Sequence, residues 1–361
     1  MSELESSADL QLFRSPLAPP DRLPGQPIKL ILRNNQSPGD VTMLTAAVRD
    51  LHAGYPGRFE TDVRGECPDL WLHNPHLTPL NEEDAAVRVI HCRYPLINHS
   101  NQRPYHFLHG FTHFLNRELR LAIRPRAIKG DIHLSEIEQQ MPSAVAEIIG
   151  KDIPFWIVAA GGKTDYTVKW WSTDRFQAVM DALRNRVLFV QIGLENDHHP
   201  PLGGVLDLRG KTSLRQLVLL IHHSQGVLCP VTGAMHLAAA VPVKSGAPKL
   251  RPCVVVAGGR EPPHWESYPN HQFIHTVGML TCCETGGCWR KRTVALGDGD
   301  KRDQPENLCL QVVDGPLPRC MSMITPEEVV RRIEGYFTGG IVRYLLPDEV
   351  QAIKRAGILQ N

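Results

Sequence analysis

One pattern limits this chain more than any other. Short apolar runs end in glycine turns, and helical patterns follow, again and again through the second half. Phe155 to Ala160 runs into Gly161-Gly162-Lys163, Val187 to Ile192 into Gly193, and Cys253 to Ala257 into Gly258-Gly259. Between them, residues 173–185, Leu214 to His222 and a stretch beginning at Gly233 carry helical spacing, with Gly226 to Cys229 as a further short strand. Strand, glycine turn and helix repeated in this way predict a doubly wound parallel sheet.

The first half carries the same alternation in a looser form. Ile28 to Leu32 is a buried-strand run ending in the turn Asn34-Asn35-Gln36-Ser37-Pro38-Gly39-Asp40. Met43, Leu44, Ala47, Val48 and Leu51 then recur at helical spacing up to Gly54 and Pro56. Phe59 to Val63 and Val87 to Cys92 read as strands, and His106 to Leu121 as an amphipathic helix. With 361 residues, and about 150 per domain, two cores are expected. We place the divisions at 1–150, 151–335 and a helical tail at 336–361 with apolar positions Ile341, Leu345, Leu346, Val350 and Ile353. Residues 1–26, rich in Pro, Ser and Leu without a period, read as an arm. Two such α/β units place a ligand cleft between them, at the carboxyl ends of their strands.

Composition removes several function classes. Lys and Arg number 39 against 38 Asp and Glu, so the net charge of +1 lacks the basic excess of a nucleic-acid binder. No apolar run approaches the ~20 residues of a membrane span. The start is acidic and unlike a secretory signal. Nine cysteines, an odd number, point to a reducing, cytoplasmic setting rather than a disulfide scaffold.

Five places could carry chemistry. Asp40, beside a helix start at the end of the first strand, could act as a general base. On spacing alone a helix cap is the commoner explanation. Gly161-Gly162-Lys163 with Lys169-Trp170-Trp171 offers backbone amides and lysine charges to a diphosphate, although no Walker motif closes it and a plain turn is the commoner reading. Thr232 and Gly233 open a helix whose free amides suit anionic oxygens, and His236 on that helix is either a phosphate contact or a core histidine. His106, His109 and His113 share a helical face; polar contacts or surface capping explain them better than a metal. Finally, Cys282, Cys283, Cys288, Cys309 and Cys320 surround a Gly- and Asp-rich loop with little to build a core, over roughly 280–322. A tetrathiolate iron or zinc site on Cys283, Cys288, Cys309 and Cys320, with Cys282 as alternative to Cys283, would be its natural staple and purely structural. Scattered free thiols are the alternative.

Several segments, in order, resemble glycosyltransferase family 9, the ADP-heptose heptosyltransferases. They are Ser37-Pro38-Gly39-Asp40, Lys169-Trp170, the run Asp207 to Leu214, and Val231-Thr232-Gly233-Ala234-Met235-His236-Leu237-Ala238-Ala239-Ala240. The likeness spans roughly residues 28–275, and the last two segments are its most specific part. The cysteine insert is similar to that of the branch that glycosylates autotransporter proteins, where four cysteines hold an iron ion and members assemble into rings. This resemblance implies a GT-B fold of two Rossmann-like domains, with acceptor in the first and nucleotide sugar in the second. It implies Asp40 as catalytic base, Lys169 as the charge on the donor diphosphate, and Thr232, Gly233 and His236 around ADP. Glu195 falls where relatives place an acid on the ribose or base. Val231 departs from relatives of the lipopolysaccharide type, which carry Asp there. The activity implied is inverting transfer of heptose or a related sugar from an ADP-sugar to a hydroxyl of a glycan or protein, without a catalytic divalent metal. A sugar-nucleotide epimerase and a catalytically silent nucleotide-binding assembly module are the competing readings.

Overall fold

The computed structural model describes residues 26–245 and 250–359; the arm read at 1–26 lies outside these, apart from Gln26. Two parallel sheets organise the chain. The first has the order β2-β1-β3, built from β1 (Ile28–Asn34), β2 (Phe59–Gly65) and β3 (Val87–His91). Ile31 lies opposite Asp62 on one side and Val89 on the other. Between β1 and β2 runs α1 (Pro38–Gly54), started by an extended Ser37 and by Pro38, whose missing N–H costs nothing at a first turn. Nearly every residue of α1 from Val41 to Leu51 is buried, more than a surface helix allows, because α1 packs on its own sheet and also on a helix of the second half. Helices α2 (His109–Leu119), α3 (Glu136–Gln140) and α4 (Ala144–Ile149) lead out of this half.

The second sheet has six parallel strands in the order β6-β5-β4-β7-β8-β9. Along the chain these are β4 (Phe155–Val158), β5 (Leu188–Gln191), β6 (Leu206–Asp207), β7 (Gly226–Pro230), β8 (Cys253–Gly258) and β9 (His271–His275). The crossovers hold α5 (Thr173–Ala182), α6 (Leu214–His223), α7 (Gly233–Ala240) and the short α8 (Pro263–Glu266). Strands β4, β5, β7 and β8 are buried along their whole length, as apolar runs covered on both faces should be. Gly226 is required by packing: a Cβ there would stand 2.5 Å from the buried Trp156 ring. The chain winds outward from β4 through β5 to β6, then returns to β7 on the other side and continues to β9. The order therefore reverses between β4 and β7, and the crevice at such a reversal is where ligands bind in open α/β sheets.

The segment read as one helical tail, 336–361, holds the end of α10 (Pro326–Thr338) and then α11 (Pro347–Arg355); α10 is preceded by a hairpin of β10 (Val312–Val313) and β11 (Leu317–Pro318) and by α9 (Arg319–Ser322). Gly339-Gly340, the latter at φ +70°, and Pro347 break the helical reading of Ile341 to Leu346. Ile353 is fully buried, Leu345 donates its amide to the Arg186 carbonyl at 3.0 Å, and Asp348 pairs with Lys151. Among the described residues no helix is long and apolar enough to cross a membrane.

The halves are joined by Arg215, near the start of α6. Its guanidinium grips both Glu138 oxygens at 2.7 and 2.6 Å and also reaches the carbonyls of Asp69 and His133. Its amide donates to the Asp69 carboxylate at 3.0 Å.

Candidate active site

Strand β4 ends in Gly161 and Gly162, at φ +133° and +158°, a backbone that side chains rarely adopt. A Cβ on Gly161 would run into the His198 carbonyl at 1.9 Å, so the loop takes only glycine. The turn that follows carries Lys169 at its end and Trp170 after it. Strand β7 ends next door, and Thr232 caps α7 in extended conformation without bonding the helix through its side chain. Its hydroxyl is buried and unpartnered, as is the Trp170 indole N–H. Both side chains lie beside Gly162: a Cβ on that glycine would stand 3.7 Å from Trp170 Nε1 and 3.8 Å from Thr232 Cγ2. Two unsatisfied polar groups next to a helix N-terminus form a receptor for anionic oxygens.

Asp40 enters from the first half. The cap of α1 is Ser37, not Asp40; Asp40 stands in the first turn and accepts the Ser37 hydroxyl at 2.6 Å. The cap reading thus gives way, because Ser37 holds the extended entry and Pro38 begins the helix. Burial raises the Asp40 carboxyl above its ordinary range, opposed by the Ser37 hydrogen bond and by the charges of Lys169 and Lys163. The two helix starts nearly touch. A Cβ on Gly39 would stand 2.9 Å from His236 Cδ2 and 3.7 Å from the Gly233 Cα. His236 is buried, shares a 2.6 Å hydrogen bond through Nδ1 with the Tyr268 hydroxyl, and is held well below the ordinary histidine range, chiefly by burial.

Lys169 Nζ lies 3.1 Å from Glu261, which also pairs with Arg260. Burial, helped by the Arg260 charge, pushes the Lys169 ammonium down to about 8. Burial raises the Glu266 carboxyl, against the pull of Lys169 and Arg260. Arg260, Glu261, Glu266 and Tyr268 were not singled out from the sequence. The available signal was the charged pair directly after Gly258-Gly259, at the end of the strand beside β7.

The other expected residues fall elsewhere. Glu195 is exposed in the turn after β5, its Cβ 3.5 Å from where a Cβ on Gly210 would lie. His106 closes the seam between the halves, its Nε2 3.1 Å from the Ser267 carbonyl; His109 bonds back to His106. Two small cavities, of about 210 and 70 Å³, open at the carboxyl edge of the first sheet and share Asn34 and Gly65; Arg33, Arg64 and His91 line the larger.

The cysteine segment departs from expectation. All nine cysteines are free thiols, and among the described residues no group of three or more His, Cys, Asp or Glu is placed to hold a metal. Cys283 and Cys320 flank Gly259, and the Cys288 amide donates to the Gly259 carbonyl at 3.2 Å. The Cys309 amide bonds the Arg292 carbonyl, and Cys282 is exposed. Cys282, Cys283, Cys288, Cys309 and Cys320 are neighbours whose thiols sense one another's charge, but they are not arranged here as a four-cysteine site. The Gly- and Asp-rich loop has another staple: a fully buried Arg292 bonded to Asp298 at 3.0 and 2.9 Å and to Asp303. Arg302 ties the same loop to Asp165, in the turn that carries Lys169.

Residues 126–245 match glycosyltransferase family 9 (heptosyltransferase). No curated protein matches the chain. Among solved structures, a family 9 glycosyl transferase from Veillonella parvula is 13% identical, with TM-score 0.57 over 88% of this chain and all of that one. The iron-containing dodecameric glycosyltransferase TibC from enterotoxigenic E. coli is 16% identical, with TM-score 0.58 over 87% of this chain and 77% of that one. The ADP-heptose lipopolysaccharide heptosyltransferase II of E. coli is 15% identical, with TM-score 0.52 over 87% of this chain and all of that one. These likenesses show a shared GT-B-like α/β fold of parallel sheets. With the crevice between β4 and β7 lying inside the matched segment, the chain is a glycosyltransferase whose residues 126–245 carry the family 9 (heptosyltransferase) signature.

Proposed function

We propose that this chain is an inverting, cytoplasmic glycosyltransferase that moves heptose or a related sugar from an ADP-sugar to a hydroxyl of a glycan or protein. The observation that carries the reading is the meeting of Asp40, from the first half, with Lys169 and the start of α7, from the second. In this reading residues 1–150 take the acceptor, residues 151–335 take the nucleotide sugar, and 336–361 form a tail across them.

Asp40 accepts the proton of the acceptor hydroxyl as that oxygen attacks the anomeric carbon. The bond from the anomeric carbon to the diphosphate oxygen breaks, and ADP leaves with the electron pair. A single displacement inverts the centre. Lys169, the Thr232 hydroxyl and the amides at Thr232-Gly233 stabilise the charge on the departing diphosphate. One such preorganised donor is worth on the order of 10²–10³ in rate, and a placed general base about 10²–10⁴. His236, held neutral, packs against the entry of Asp40 and fixes the spacing of the halves. Glu195 takes the nucleoside end, at the exit of β5.

Membership of the cysteine-finger branch, an iron or zinc on Cys283, Cys288, Cys309 and Cys320, and assembly into a homo-oligomer like the dodecameric TibC extend this reading. A metal closed in by four thiolates keeps no open position and would be structural, so no step of the mechanism runs through it. Elemental analysis before and after chelation, with light scattering, checks both extensions. The function itself is tested by calorimetric titration with ADP beside GDP and UDP. Selective ADP binding, weakened in Lys169→Ala, is expected; a folded protein that binds no nucleotide refutes the reading.

A further inference from the structure

Glu266 ends α8, and nothing above gives it a task. It is 4% exposed, and its Oε2 is buried without a hydrogen-bond partner. An unpaired buried acceptor is costly and rare in native proteins, so such an atom calls for an explanation. The backbone on both sides of Glu266 is fastened to the first half. The Phe107 amide donates to the Trp265 carbonyl at 2.6 Å, and His106 Nε2 lies 3.1 Å from the Ser267 carbonyl. The Trp265 ring packs on Phe107 and Tyr94 of that half. The carboxyl is therefore held at the seam between the halves. The charged groups it senses there are Lys169, Arg260 and Asp40.

Strand order narrows the ligand. Lys169 follows β4, Thr232 follows β7 and Glu266 follows β8, and these are three neighbours in the sheet. Glu266 lies one strand beyond the pair that receives the diphosphate, on the side of Asp40. A diphosphate offers only acceptors, and its oxygens would repel a carboxylate. A sugar hydroxyl offers the O–H that Oε2 lacks. The entry to α7 supplies no competing acid, since position 231 is a buried valine.

We propose that Glu266 accepts a hydrogen bond from a hydroxyl of the donor's sugar and so selects the glycosyl group that is transferred. This rests on the ADP-sugar reading above. The test compares affinities of the full chain for ADP, ADP-heptose and ADP-glucose in wild type, Glu266→Gln and Glu266→Ala, with a thermal melt of each. Glu266→Gln keeps the shape of the side chain and is the variant least liable to disturb the fold. The expected result is ADP affinity within about twofold of wild type in both variants. The preference for one ADP-sugar over ADP should fall roughly tenfold in Glu266→Ala and less in Glu266→Gln, whose amide oxygen still accepts.

Two results overturn the assignment while leaving the enzyme reading intact. One is an unchanged preference in both variants. The other is an equal loss of ADP and ADP-sugar affinity, which would make Glu266 a support for Lys169. Wild-type protein that binds ADP but no ADP-sugar, or neither, overturns the enzyme reading as well. Should both variants unfold, ADP-sugars epimeric at single hydroxyls decide on wild-type protein. Discrimination of at least tenfold at one hydroxyl supports the assignment, and equal affinity across the series overturns it.

Discussion

Raising the pH should switch off nucleotide binding through one lysine. In the proposed function Lys169 is the ammonium that meets the diphosphate, and burial brings it down to about 8. Its charged fraction is then ~0.9 at pH 7 and ~0.1 at pH 9, from the tenfold change per unit beyond a pKa. If ADP binds only the protonated form, its apparent Kd should rise roughly tenfold across that span. A terminal phosphate, with second pKa near ~6, is already ionised throughout, so the ligand adds no transition of its own. Calorimetry reads the effect twice: as the change in Kd, and as uptake of about one proton near pH 9 in buffers of different ionisation enthalpy. Lys169→Arg separates this lysine from other groups, because a guanidinium keeps its charge over the whole range. That variant should bind ADP more weakly at pH 7 but show no fall up to pH 9. A Kd constant from pH 7 to 9 in wild type, or the same fall in Lys169→Arg, would refute the placement of Lys169 on the diphosphate.

Three further outcomes follow from the same geometry. Asp40→Asn should lower turnover by about 10²–10⁴ while ADP affinity stays within a few-fold; wild-type activity also falls as pH drops through the raised Asp40 pKa, where the base becomes protonated, and retained turnover in the variant removes the base assignment. Arg215→Ala should cost about 3 kcal/mol in denaturant unfolding, since it strands the Glu138 carboxylate. Glu138 is held down to about 2, mainly by Arg215, so its contribution is complete above its ordinary range and is lost as pH falls toward 2; the variant should lose that acid dependence. Gly39→Ala should destabilise by about 1–2 kcal/mol, because crowding His236 outweighs the gain in helix propensity; a thermal midpoint above wild type would show that the helix starts do not meet as described.

What could be read in advance follows from how local each signal is. The start of α7 was legible to the residue because Thr232 and Gly233 mark it within the segment itself. β9 was missed: His271-Gln272-Phe273-Ile274-His275 lies at a sheet edge, and only Ile274 is buried. Spacing alone left the cap of α1 open, because Ser37 and Asp40 are both good cap residues and only the backbone distinguishes them. The tail was taken as one helix because its apolar spacing outweighed Gly339-Gly340 and Pro347. Arg260, Glu261 and Glu266 gave no periodic signal, since their importance arises where β8 is set beside β7 and against the first half. The cysteine loop was expected to need a metal because its composition offers no core. One buried arginine with Asp298 and Asp303 supplies cohesion that composition does not reveal.

The arrangement around Lys169 also explains how a buried cation can be kept ready for a ligand it must first be free to meet. Without ligand its charge is balanced by Glu261 at 3.1 Å. A partner of that kind usually traps a lysine, since leaving it strands a carboxylate in a poorly solvated site at a cost of about 3–5 kcal/mol. Here Glu261 is also paired with Arg260, which is itself anchored by its Nε to the Arg290 carbonyl at 2.6 Å and stacked on Tyr166 and Trp289. When a diphosphate draws Lys169 away, Glu261 keeps a fixed counter-charge, and the exchange costs far less than breaking an isolated pair. In this reading the cysteine segment gains a role in the binding site that does not depend on a metal. It supplies the Arg290 carbonyl and the Trp289 ring that hold Arg260 in place, and Arg302 ties it to the turn bearing Lys169. In the proposed reading, the insert expected from sequence to be a metal-stapled structural finger is also the rear wall of the diphosphate site.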